Sequence, residues 1–150
     1  MVKRVSLEEL LRSRVIRKTR PSHALAVTSL RRARRDIDTA KALVENERFD
    51  WSLAISYNAM LQAGRALMFE RGYRPSTTGS HVAVVRFLHM SFGKEVGNRM
   101  IMFLNGMRKK RHRVVYEEMD IVSKSEAERA LGWTIEFVNR VDTIVRKHVG

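Results

Sequence analysis

The chain has 150 residues, long enough for one domain with a substantial core. It has no cysteine, which excludes a disulfide framework and any thiolate nucleophile or metal ligand. Its formal net charge is +13, from 29 Lys and Arg against 16 Asp and Glu, and this favours a polyanion or an acidic protein as partner. The excess is uneven: residues 1–35 hold 11 basic side chains against Glu8 and Glu9. No apolar run reaches membrane-spanning length, so no membrane role is expected. The start, Met1-Val2-Lys3-Arg4-Val5-Ser6, leads into a charged helix and not into a signal-peptide core, so a cytoplasmic location is expected.

A short first helix is expected over residues 6–17. Ser6 can cap it, Glu8 and Glu9 suit its first turn, and Leu7, Leu10 and Leu11 give it one apolar face. Pro21 breaks the pattern, so residues 1–20 read as a basic helix or arm and residues 21–150 as the bundle proper. Ser22 can cap a second helix from about His23 to Asn46. Leu30, Ala33, Ile37, Ala40 and Val44 form its stripe, while Arg31, Arg32, Arg34 and Arg35 fall largely off it as a basic patch.

Asp50 is the expected cap of a third helix, Trp51 to Arg71, which is apolar on more than one side and should be central. Ala59, Ala63 and Gly64 would let a neighbour come close. Gly72 should end it, and residues 72–79 carry the longest loop signal in the chain. A fourth helix is expected over Ser80–Phe92 and a fifth over Glu95–Tyr116. Ser123-Lys124-Ser125-Glu126 has the capping-box spacing and opens a last helix to about His148. No run alternates with period two, so no sheet is expected. The pattern predicts an all-α, up-and-down bundle of five to six helices.

Chemistry concentrates at Arg108-Lys109-Lys110-Arg111-His112-Arg113. Met100, Phe103, Leu104, Met107, Val114 and Val115 surround this run at helical spacing, so it rides on a helix that packs. A helical wheel places Arg111 inside the apolar stripe, between Met107 and Val114. Arg108, His112 and Tyr116 follow one flank. A cation on an inward stripe needs a partner: a ligand, a wet cleft, or a carboxylate such as Glu117 or Asp120. No Gly-rich phosphate loop and no zinc motif is present, and His81 and His89 lack an intervening carboxylate, so neither cofactor nor metal is expected. His112 beside several Arg is the minimum for metal-free RNA cleavage. A base takes the ribose 2′-hydroxyl proton and cations steady the phosphate. Tyr57 and Tyr73 read as core and loop-packing residues.

Four blocks in order resemble one family. They are Ala33-Arg34-Arg35-Asp36-Ile37-Asp38-Thr39-Ala40-Lys41; Phe49-Asp50-Trp51-Ser52-Leu53-Ala54; Tyr57 to Leu67 followed by Gly72-Tyr73-Arg74-Pro75; and Arg108 to Tyr116. The chain resembles a stand-alone HEPN domain over about residues 25–147. The resemblance implies a helical bundle that forms a homodimer with a cleft between protomers. Many such proteins are metal-independent endoribonucleases using an Arg, a polar neighbour, and a His four to six residues after the Arg. Many pair with a minimal nucleotidyltransferase in a toxin–antitoxin-like arrangement, and others are non-catalytic binding subunits. Here Arg111 has His112 as its neighbour but Tyr116 where the His would stand, and from Arg108 the His comes one position early. The expected catalytic set is His112, Arg111, Arg108 and Tyr116. The expected RNA contacts are Arg108, Lys109, Lys110, Arg111, Arg113, Arg31, Arg34 and Arg35.

Overall fold

The computed structural model describes residues 6–76 and 80–147. Six α-helices carry nearly all of it. They are α1 (Leu7–Arg12), α2 (His23–Glu45), α3 (Phe49–Arg71), α4 (Ser80–Phe92), α5 (Asn98–Tyr116) and α6 (Lys124–Lys147). The all-α bundle expected from the sequence is the fold. Three of the expected caps form. The N–H groups of Glu9, Leu25 and Glu126 donate to the hydroxyls of Ser6, Ser22 and Ser123 at 3.2, 3.2 and 3.1 Å, satisfying amides that a helix start leaves without a carbonyl. The loop residues 77–79 and the expected last helical residue, His148, lie outside the described residues, as do residues 1–5.

The expectations for the Asp50 cap, for a sheet and for two helix boundaries need correction. Asp50 does not cap α3: Arg48 stands at that position and makes no side-chain cap bond. The Asp50 carboxylate instead accepts the N–H groups of Asp120 and Val122, at 2.7 and 3.0 Å, and pins the α5–α6 connection to the start of α3. Sequence spacing favoured a local acceptor, and a distant pair of amides took the group. The chain also contains a sheet. β1 (Ile16–Lys18) pairs antiparallel with β2 (Tyr73–Pro75), with Ile16 opposite Pro75 and Lys18 opposite Tyr73. Three-residue strands are too short to display alternation, and their partners are far apart in the chain. The first expected helix accordingly stops at Arg12. Leu10 and Ile16 are both buried in the main core.

Helix α3 lies at the centre, packed by α2, α6, α5 and α4. Most of its apolar surface is covered within the chain, but Trp51 in its first turn is 55% exposed. Homodimerisation is implied by the family resemblance. Directions follow from the side-chain pairs. His23 at the start of α2 pairs with Glu70 near the end of α3, and Asn58 donates to Asp36, so α2 and α3 are antiparallel. Lys110–Glu126 and the stacked rings of Phe103 and Trp133 show α5 and α6 antiparallel. Between helices consecutive in the chain, the exception is α4, while α6 also runs beside α3 in the same sense, with Asp50 at Val122 and Ser56 at Thr134. Tyr57 meets His81, Gly64 faces Val84 and Leu88, and Arg71 lies over the Phe92 ring, so α4 runs beside α3 in the same sense. The long return after Gly72 makes this possible. A π-helical turn, Gly93–Gly97, then reverses the chain into α5, which starts at Asn98 and not at Glu95.

Gly64 sets how closely α4 approaches. A Cβ there would lie 2.6 Å from Val84 Cγ1 and 3.1 Å from Leu88 Cδ1. Gly64→Ala is therefore expected to cost about 1–3 kcal/mol through overpacking, against the slight gain in helix propensity. A urea midpoint unchanged from wild type would show that α4 can retreat freely.

Candidate functional site

Helix α5 distributes its basic side chains to different surroundings, because successive residues turn about a third of a revolution apart. Lys110 Nζ lies 3.3 Å from Glu126 of α6. The Arg113 guanidinium donates to Glu118 at 2.6 Å. Lys109 is exposed to solvent. Arg108 and Arg111, one turn apart, are half-buried, and their charges act on Tyr57 and His81. Arg108 Nε also donates to Asn105 at 3.0 Å.

Similar lengths of chain on either side of the Gly93–Gly97 turn bring these residues together. The charges of Arg108 and Arg111 on α5 act on His81 in the first turn of α4. Tyr57 is buried on the stripe of α3 that also carries Gly64. Its hydroxyl is hydrogen-bonded to His81 Nδ1 at 2.8 Å, with the two ring centroids 5.7 Å apart. Arg65, two turns further along α3, is the third guanidinium acting on the pair.

Electrostatics follow from burial and from these cations. Burial pushes the Tyr57 phenol up to about 12, with Arg108, Arg111 and Arg65 opposing that rise, so it stays protonated at neutral pH. Burial lowers the His81 imidazole below the usual histidine range, and Arg111, Arg65 and Arg108 lower it further. Burial also pulls Arg65 below its ordinary value, with Tyr57 opposing. Among the described residues, none of Arg65, Arg108 and Arg111 forms an ion pair with a carboxylate. Neither Glu117 nor Asp120 takes up Arg111. Three partly buried cations thus converge on a neutral imidazole and a neutral phenol. The natural complement is an anion with several acceptor oxygens, which guanidinium groups grip in pairs of parallel bonds.

The other expected residues are placed elsewhere. His112 is 62% exposed, 3.9 Å from Glu117, with its ring against Tyr116. Tyr116 is 67% exposed at the end of α5. The flank that His112 and Tyr116 share with Arg108 leaves the covered part of the helix in its last turn, so the three do not meet one environment. Arg31, Arg34 and Arg35 are exposed on α2, which packs on α3 and α6. The Arg34 charge is already met by Asp142 at 3.0 Å, with Asn139 at 3.1 Å. The Asp142 carboxyl is held below its ordinary value because hydrogen bonds from Arg146 and Arg34 outweigh burial. A separate apolar groove of about 410 Å³ runs between α5 and α6, lined by Leu53, Phe103, Met107 and Trp133. It gathers only Lys110 of the expected set.

Sequence reasoning missed Tyr57, Arg65 and His81. Arg65 carried a signal, a cation inside the most apolar helix of the chain. His81 carried none, since its meaning depends on the direction of α4. Among the described residues no cluster of His, Asp or Glu is suited to hold a metal ion, and no helix is long and apolar enough to cross a membrane. The family model described as HEPN domain matches residues 26–144. A comparison with curated proteins finds no match.

The cluster makes a titration prediction. Arg111→Met removes one of the positive charges that depress His81, so the His81 pKa should rise toward the ordinary histidine value. Proton NMR of the imidazole reads this directly. A titration identical to wild type would mean that Arg111 does not face His81.

Proposed function

The chain belongs to the HEPN domain family, and from that footing we propose that it binds RNA by seating a backbone phosphate on Arg65, Arg108 and Arg111. One observation carries this reading: Arg65, Arg108 and Arg111 are partly buried, have no carboxylate ion-pair partner among the described residues, and all act on the Tyr57–His81 pair. Burying like charges together is unfavourable unless something of opposite sign completes the set. Lys109 and the exposed arginines of α2 extend the positive field and add sequence-independent attraction. Arg113 and Lys110 contribute less, because Glu118 and Glu126 neutralise them.

Salt dependence tests the assignment. Taking one cation away from a phosphate of single-stranded RNA should flatten the log–log salt slope by about 0.7. Arg108→Met and Arg111→Met are expected to weaken binding of a random-sequence single-stranded RNA pool and flatten the slope. Arg113→Met should do much less. Equal losses at all three positions would reduce the site to a diffuse basic surface, and no binding at low salt would remove the reading.

A second reading draws on Tyr116. Its ring is 67% exposed at the helix end, where an enzyme could reach the hydroxyl. Here the protein is a non-catalytic subunit that docks a minimal nucleotidyltransferase and presents Tyr116. The Tyr116 oxygen would attack the α-phosphorus of a nucleoside triphosphate, releasing pyrophosphate and its own proton. Intact-mass measurement after incubation with such an enzyme and ATP decides it. A nucleotide adduct lost in Tyr116→Phe supports this reading, and an unmodified chain or an adduct elsewhere removes it.

A further inference from the structure

We propose that the β1–β2 ribbon is a second phosphate site, at which Arg17 and Arg74 clamp the RNA backbone next to the phosphate seated on Arg65, Arg108 and Arg111. This rests on the RNA-binding reading above. It extends that reading to a part of the chain that the family match does not reach, since β1 lies ahead of residue 26.

Arg17 stands directly opposite Arg74 in the antiparallel ladder. Residues so placed share one face of a ribbon, with Cβ atoms about 4.5–5.5 Å apart, and two like charges there destabilise the pairing. Among the described residues neither guanidinium forms an ion pair with a carboxylate. Arg17 is exposed and open to a ligand from solvent. The Arg74 guanidinium lies over the Phe69 ring, 5.6 Å from its centroid, and its Nε is buried. Half of the clamp is therefore fixed before a ligand arrives, which lowers the entropic cost of binding.

The ribbon is itself anchored. Leu10 and Ile16, on either side of the α1–β1 turn, are buried in the main core. The Ser76 N–H donates to Val15 O at 3.0 Å and the Thr19 N–H to Gly72 O at 2.8 Å. Gly72 permits this approach, with φ at +85° and room for no Cβ, which would lie 2.9 Å from Thr19 O.

Placement favours a chain of phosphates over a single anion. Arg65 and Phe69 are four residues apart on α3, so they share one side of that helix about 6 Å apart along its axis. Arg74, over Phe69, thus stands one turn from the third cation of the first site. Arg14, Lys18 and Arg20 flank the ribbon, exposed and without ion pairs among the described residues. Guanidinium forks match phosphate oxygens in pairs, and a line of cations matches a repeating backbone.

The test uses the full chain, a random-sequence single-stranded RNA pool, and vesicles of phosphatidylcholine with phosphatidylserine. Losing one phosphate contact should flatten the log–log salt slope for RNA by about 0.7. Arg17→Met is expected to do this and to weaken binding, while the melting temperature of the free protein holds or rises because the opposed charge is gone. Arg17→Glu supplies Arg74 with a cross-strand carboxylate. It should melt above wild type and bind RNA more weakly than Arg17→Met. A merely structural arginine would give the reverse, with a lower melting temperature in both variants. Arg74→Lys, which keeps the charge and loses the fork, should weaken binding without flattening the slope. Affinity and slope unchanged in Arg17→Met and Arg17→Glu, with binding still weakened in Arg108→Met and Arg111→Met, overturn the ribbon site and leave the RNA reading standing. No RNA binding at low salt overturns both, and Arg17-dependent binding to the vesicles would then assign the clamp to a lipid phosphate.

Discussion

The burial of α3 beneath four other helices governs the rest of this structure. A helix wrapped by α2, α4, α5 and α6 leaves little slack, because interiors pack as tightly as molecular crystals. Its polar groups meet neighbouring helices or, among the described residues, go unmet, as the buried Ser56 hydroxyl does. Ser52 donates to Ala40 O at 2.9 Å, and Thr134 of α6 donates to Ala130 O at 2.7 Å. Gly64 removes the side chain that would hold α4 off, and α4 then sits at the distance from which His81 reaches Tyr57. The position of the functional side chains is thus a consequence of helix packing, set two turns away from them.

A basic run on a helix is not one feature. The turn per residue of α5 sends Lys110 to Glu126 and Arg113 to Glu118, where their charge is offset in half-exposed ion pairs of small energetic weight. The same turn sends Arg108 and Arg111 inward, where among the described residues no such partner stands and the electrostatic consequence is larger. This partition separates side chains whose charge is offset within the chain from side chains whose charge meets no carboxylate among the described residues. Their charge is felt by the neighbouring groups, in the depressed imidazole of His81 and in the opposition to the rise of the Tyr57 phenol.

Much of this was legible in the chain. The helical periods of α2, α3, α4 and α6, the caps at Ser6, Ser22 and Ser123, and the inward register of Arg111 depend on residues within a few positions of one another. Spacing alone determines them, because one helical turn brings i, i+3 and i+4 together whatever the rest of the molecule does. The close approach at Gly64 was also visible, since only small residues permit it. The tertiary structure decided whatever required distant segments to meet. The β1–β2 ladder joins strands too short to show a pattern, and the Asp50 carboxylate leaves its own helix for the amides of Asp120 and Val122. Above all, the direction of α4 put His81 beside Tyr57, Arg108 and Arg111. Reversed on α3, the same sequence would carry that imidazole to the opposite end of the bundle. The 72–79 connection is long enough for either course, so the choice rests with packing of the assembled helices and not with any local signal.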